Sequence, residues 1–199
     1  MQQELINWIS TSGRLLGVLF YCDPKDEKVW SILDFFQQPD WTESWSELKN
    51  SEKITALLTQ TDNLAEQYQA LFIGPNALPA PPWGSVYLDR ESVIFGDSLL
   101  KLRDFMYQHN IEFQRTQDEP EDHIGLMLML SAYIAENHPD LLAEFLSQHF
   151  LLWSVRYLQL LREQELSPFY QGVALLTQQT LQYWQDQALL IVPKVQFFR

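Results

Sequence analysis

A single cysteine, Cys22, stands in the 199 residues, which excludes an internal disulfide framework and any zinc site built on several cysteines. A reducing compartment is expected. No apolar run approaches the ~18 residues of a membrane span, and the opening "MQQELINWIS" carries Glu4 and no leading basic cluster. The expectation is a soluble, cytoplasmic protein without a membrane span. Basic residues are also scarce, 13 against 26 acidic ones. The resulting formal charge of -13 repels phosphate backbones and anionic headgroups, so nucleic acid and membrane lipid are poor candidates as partners, and no nucleic-acid partner is expected. The seven glycines are scattered at Gly13, Gly17, Gly74, Gly84, Gly96, Gly125 and Gly172, with neither dinucleotide-fold nor P-loop spacing. Strict apolar alternation over several residues is scarce as well.

What the chain does have is helical periodicity and aromatic rings. Seven tryptophans, eight tyrosines and twelve phenylalanines exceed what a minimal core needs, and wide rings also build groove-type binding sites. Spacings such as Ile54, Leu57, Leu58, Leu64, Tyr68 and Leu71 point to an all-α fold. One compact domain over residues 1–199 is expected, a bundle of about nine helices. They are placed at Gln2 to Tyr21, Lys25 to Gln38, Thr42 to Leu48, Lys53 to Phe72, Ser98 to Asn110, Pro120 to Asn137, Asp140 to Phe150, Ser154 to Glu163 and Pro168 to Gln187. "CDPK" breaks the first, Asp97-Ser98 can cap the fifth, and Ser167 precedes a proline at the first helical position of the last.

One connection breaks the pattern. "GPNALPAPPWGSVYLDRESVIFGD", Gly74 to Asp97, holds four prolines and three glycines, longer than ordinary loops and stiffened by its prolines. It can present Trp83, Tyr87 and Phe95 at low entropic cost. Phe95 reads as a plug for the core beneath; for Trp83, packing and ligand binding both stay open.

Chemistry is harder to find. "WGSV" has one glycine where a nucleophile elbow needs two, and no strand precedes it. His109, His123, His138 and His149 are isolated from one another, whereas a helical metal site needs histidines three or four apart. Glu119, Asp122 and His123 are the remaining ligand set, and three ligands from one turn need help from elsewhere. Asp122 and His123 as an acid/base pair, in a small acid/base or metal-assisted hydrolase, is the enzyme reading. Adjacent helical residues, however, point about 100° apart. The structural reading of "EPEDH" is a helix start, with Glu119 as cap, Pro120 first and Asp122 complementing the dipole by about 0.3 to 1 kcal/mol. The apolar run that follows reads as a buried central helix.

The stretch "YQALFIGPNALPAPPWGSVYLDRESVIFGDS", with "DEPEDH" at Asp118 to His123, "SPFYQ" at Ser167 to Gln171 and the closing "FFR", closely resembles the twin-arginine (Tat) proofreading chaperones, the TorD/DmsD family. The resemblance runs over nearly the whole chain. It implies an all-helical cytoplasmic chaperone with no turnover chemistry and no cofactor. GTP has been attributed to the family but finds no phosphate loop here. The implied partner is the twin-arginine leader of a molybdoenzyme catalytic subunit, by likeness that of dimethyl sulfoxide reductase, held until its cofactor is loaded; Tat translocase components are further partners. The family's E-x-x-D-H motif falls on Glu119, Asp122 and His123. Its aromatic, proline-rich part falls on Tyr68, Leu71, Phe72, Pro82, Trp83, Tyr87 and Phe95. Relatives place tryptophan where this chain has Tyr68, Asn76 and Tyr87, so leader selectivity is where it departs. Burying ~300 Å² of leader apolar surface yields roughly 7 kcal/mol gross, against ~0.2 to 1 kcal/mol for an exposed ion pair. The aromatic loop is thus expected to supply affinity, and Glu119, Glu121 and Asp122 arginine recognition.

Overall fold

Leu5, Ile9, Leu16, Leu19 and Phe20 recur at helical spacing and form the buried face of α1 (Gln3–Tyr21). The computed structural model describes residues 1–45, 47–112 and 118–199. Against α1 lies α7 (Ile124–Asn137), which is buried nearly all round and forms the centre of the molecule. Three glycines let the two backbones close in. A Cβ at Gly13 would stand 2.7 Å from the Leu128 carbonyl oxygen, and Gly17 and Gly125 would each meet the other's carbonyl at 2.8 Å. The last helix, α10 (Pro168–Gln187), packs on α1 and on α3 (Ser51–Leu58). One contiguous core runs from Leu5 to Trp184. Among the described residues there is no strand, and the fold is all-α.

The expected helix Lys53 to Phe72 is two. α3 stops at Leu58, and α4 (Leu64–Tyr68) continues into a wide π turn, Gln69–Ile73. Between them Asn63 takes a left-handed conformation, φ 54°. The intervening "TQTDN" explains the break, because short polar side chains bond locally and compete with the helix, and asparagine tolerates the left-handed region. Conversely, the two helices expected over Asp140 to Glu163 run on without a gap. A 3-10 turn, Pro139–Leu141, leads into α8 (Leu142–Phe145), a second π turn, Leu146–Phe150, and α9 (Leu151–Arg162). The π turn absorbs the shift in apolar register, which places Leu146, Phe150 and Trp153 all in the core.

Of the segment expected as a helix at Thr42 to Leu48, the described residues hold a single 3-10 turn, Trp41–Ser44, and residue 46 lies outside the described residues. α2 (Glu27–Gln37) starts on Asp26, whose carboxylate accepts the Lys28 N–H at 2.9 Å. Ser167 caps α10 as its sequence implies, accepting the Tyr170 N–H at 3.1 Å. A short helix, α5 (Ser85–Leu88), lies unforeseen inside the proline-rich connection. The next, α6 (Asp97–Gln108), takes its cap from elsewhere than Asp97-Ser98: the Asp89 carboxylate accepts the Ser98 N–H at 3.2 Å and its hydroxyl at 2.6 Å.

Candidate functional site

Pro120 does not open a helix. α7 begins at Ile124, and its cap is His123, whose Nδ1 accepts the Gly125 N–H at 3.1 Å. Residues 120–123 form a turn closed by the His123 N–H on the Pro120 carbonyl at 3.1 Å. The reason lies 37 to 42 residues upstream in the chain, where tertiary partners outbid the local cap. The Ile124 N–H donates to the Pro82 carbonyl at 2.7 Å and the Gly84 N–H to the Asp122 carbonyl at 3.1 Å, pairing Trp83 with His123 in one antiparallel bridge. The Asp122 carboxylate, expected on its own helix, caps α5 instead: Oδ2 accepts the Ser85 N–H at 2.7 Å.

This bridge places the proline-rich connection directly against the acidic turn. Gly84 is required where the connection crosses α9, since a Cβ there would stand 2.6 Å from Trp153 Nε1. Beneath, Tyr87 is fully buried, its ring stacked on Trp153 at 5.8 Å and its hydroxyl donating to the Pro81 carbonyl at 2.8 Å.

Above the bridge, the Trp83 indole N–H donates to Glu119 Oε1, and both residues are half-buried. The His123 ring meets Trp83 edge-on at 6.2 Å and Tyr21 at 5.7 Å. The Tyr68 hydroxyl donates to the Tyr21 carbonyl at 2.8 Å, and its ring stacks on Phe72 at 5.0 Å. Trp83, Glu119, Asp122 and His123 are therefore brought together, with Tyr68 and Phe72 adjoining through Tyr21. Leu71, Phe72, Pro82 and Tyr87 are buried and support this surface from behind.

Two expectations need correction. Phe95 is no core plug: it is 62% exposed, in a left-handed conformation at φ 72°, with the Arg103 guanidinium 6.0 Å from its ring centroid. Glu121 is buried, and Arg103 donates to its Oε2 at 2.8 Å. Its charge is answered within the protein. The sequence reading missed Tyr21 and Arg103, which no motif marks; the aromatic residue closing α1 just before "CDPK" was the one available signal.

The electrostatics follow from burial. Glu119 is held above the usual carboxylate range by desolvation, opposed by the Trp83 hydrogen bond. Asp122 is raised chiefly by desolvation as well, opposed by hydrogen bonds from Ser85. Its second oxygen, Oδ1, is buried without a hydrogen-bond partner among the described residues. Burial lowers His123 to about 3, so the imidazole is neutral at pH 7 and uses Nδ1 as an acceptor. With Asp122 Oδ2 and His123 Nδ1 both committed to backbone N–H groups, the arrangement favours shape over proton transfer. Nor do Glu119, Asp122 and His123 converge as metal ligands; among the described residues no such group of three does.

Acid sensitivity follows from His123. The unfolded chain takes up a proton near pH 6.5 that the folded one refuses until about 3, so stability present above 6.5 is lost as pH falls between the two. At pH 4.5 the loss is about 3 kcal/mol. Glu119 and Asp122, with raised values, act in the opposite sense and soften it. His123→Asn, which keeps a capping acceptor for Gly125, is expected to lose less stability between pH 7 and 4.5 in urea titrations. Identical losses in both proteins would exclude His123 as the sensitive group.

A sequence-family model described as the nitrate reductase delta subunit matches residues 37–159. A Haemophilus influenzae protein named "Probable Tat proofreading chaperone DmsD" is 56% identical over 202 residues, covering 99% of this chain and 100% of its own. The "Tat proofreading chaperone DmsD" of Salmonella paratyphi A is 40% identical, covering 96% of this chain and 95% of its own. Among solved structures, one titled as a "Putative Redox Enzyme Maturation Protein" from Archaeoglobus fulgidus shares the fold, with a TM-score of 0.55 at 16% identity, covering 90% of this chain and 93% of that one. These named relatives are chaperones and maturation proteins, not enzymes. The chain belongs to the nitrate reductase delta subunit family and, within it, to the TorD/DmsD family of Tat proofreading chaperones.

Proposed function

We propose that the protein binds the twin-arginine leader of a molybdoenzyme catalytic subunit in the cytoplasm and delays its export until the enzyme is mature. Dimethyl sulfoxide reductase is the proposed enzyme, and Tat translocase components are the proposed onward partners. The observation that carries this reading is the Trp83–His123 bridge, which joins an aromatic, proline-rich connection to an acidic turn. A leader offers the matching chemistry, a pair of arginines followed by an apolar segment.

In this reading Trp83 and Glu119 meet the leader directly. Asp122 offers its unpartnered oxygen to a guanidinium, which would relieve the cost of burying it. His123, 4% exposed, acts from behind by fixing the start of α7 and the turn that carries Asp122. Tyr68, Leu71, Phe72, Pro82 and Tyr87 shape the floor, and Phe95 stands at the rim beside Arg103.

Titration calorimetry with a synthetic dimethyl sulfoxide reductase leader tests it. Binding at low salt is expected, weaker as salt rises and at least tenfold weaker when both arginines become alanine. Absence of binding at low salt overturns the reading. Equal affinity for the leader of another molybdoenzyme removes the substrate assignment alone.

A further inference from the structure

Beyond α10 the chain turns at Leu189, φ 51°, and its last residues run without helix back across the molecule to the proline-rich connection. They are held there by backbone-directed bonds. The Phe198 N–H donates to the Tyr87 carbonyl at 3.0 Å, and the Ser92 hydroxyl donates to the Phe198 carbonyl at 3.4 Å. The Arg199 guanidinium donates to the carbonyls of Leu78 at 2.9 Å and Pro79 at 3.4 Å, while Arg156 Nε donates to the Arg199 oxygen at 3.0 Å.

The segment lies along two hollows. One, about 610 Å³, is walled by Gly84, Leu102, Asp122 and Trp153, with Val195 and Phe198 along its edge. The other, about 370 Å³, lies by Trp83, Val86 and Ile94, with Arg199 along its edge. Phe198 thus borders one hollow and Arg199 the other, as successive residues of an extended chain do. Both hollows touch residues of the Trp83–His123 bridge or their immediate neighbours.

The occupant has the chemistry of a leader in miniature, "VQFFR": aromatic and apolar side chains beside an arginine. It is also shallowly seated. Val195, Phe197 and Phe198 remain 36%, 40% and 38% exposed, so leaving the groove forfeits only part of their burial. The Tyr87 carbonyl accepts from the segment's backbone, which any extended peptide offers, whereas the carbonyls of Leu78 and Pro79 accept from its guanidinium and so favour an arginine.

We infer that residues 195–199 occupy in cis a groove for an extended, arginine-bearing apolar peptide, and that the twin-arginine leader displaces them on binding. This rests on the chaperone reading above. The segment acts as a built-in competitor. A groove filled most of the time lowers the apparent leader affinity by the fraction of molecules in which it is open, and it shields the aromatic wall from association while no leader is present.

The test uses the full chain. Amide exchange at Phe198, followed by NMR, should accelerate when saturating leader peptide is added, because the bond to Tyr87 is lost. Phe198→Ala, which changes no charge and weakens the seating, should raise leader affinity threefold or more in calorimetry. Leader binding with unchanged exchange at Phe198 and unchanged affinity in the variant overturns the displacement and leaves the chaperone reading standing. No leader binding by either protein overturns both.

Discussion

Gly17→Leu is expected to lower stability by about 3 kcal/mol or more, because it overfills a contact with no slack. A Cβ at position 17 already stands 2.6 Å from Met129 Cγ and 2.8 Å from the Gly125 carbonyl oxygen. Met129 can swing aside. The α7 backbone cannot, since it is buried nearly all round and is tied at its first residue to the Pro82 carbonyl. Four additional carbons must push α1 away from α7, and the push is transmitted to Ile124 and hence to the bridge. Urea unfolding should show a lower midpoint for Gly17→Leu and a smaller change for Gly17→Ala, in which a gain in helix propensity of about 1 kcal/mol offsets part of the clash. A leucine variant with the parent's midpoint would show that the helices are not in close contact.

Trp83→Ala is expected to weaken leader binding about 30-fold, the size of a buried aromatic anchor worth about 2 kcal/mol. The indole is half-buried and fixed on two sides, by its N–H on Glu119 and by the edge of His123. Little rotamer entropy is lost when a peptide packs on it. Its removal also leaves Glu119 desolvated without the donor that opposes its raised pKa. Glu121→Gln, by contrast, should change leader affinity less than threefold, because Glu121 is buried against Arg103 and presents little charge outward. Calorimetry on the two variants decides between them. Equal losses would mean that the acidic turn supplies as much of the affinity as the indole. The same comparison tests the expectation that Glu121, with Glu119 and Asp122, supplies arginine recognition.

How far these sites could be read from the chain depends on the range of the interaction. α1, α2, α6 and α10 fall within a few residues of their expected spans, because their signals are local: apolar spacing, an aspartate or serine cap, a proline at a first turn. Local signals failed where a distant group competed. Asp89 took the capping of α6 from its own first residues, and Ser85 took the Asp122 carboxylate from the start of α7. Phe95 was misplaced for a related reason. An aromatic residue in a loop reads as core unless the path of the chain is known, and a left-handed φ at that residue turns the ring outward.

The helical class, the central place of the run after His123, the unusual character of the connection at 74–97 and, through its motifs, the family were all legible in the chain alone. These are matters of periodicity, composition and short patterns, which survive whatever the rest of the chain does. It took the folded chain to show that the proline-rich connection and the acidic turn meet at Trp83 and His123, that Tyr21 joins them, and that the closing residues lie along the same groove. Each of those depends on hydrogen bonds between backbone groups far apart in the chain, and every residue but proline carries the same donor and acceptor. Which pairs form is set by how the helices pack, not by the identity of the residues that own them.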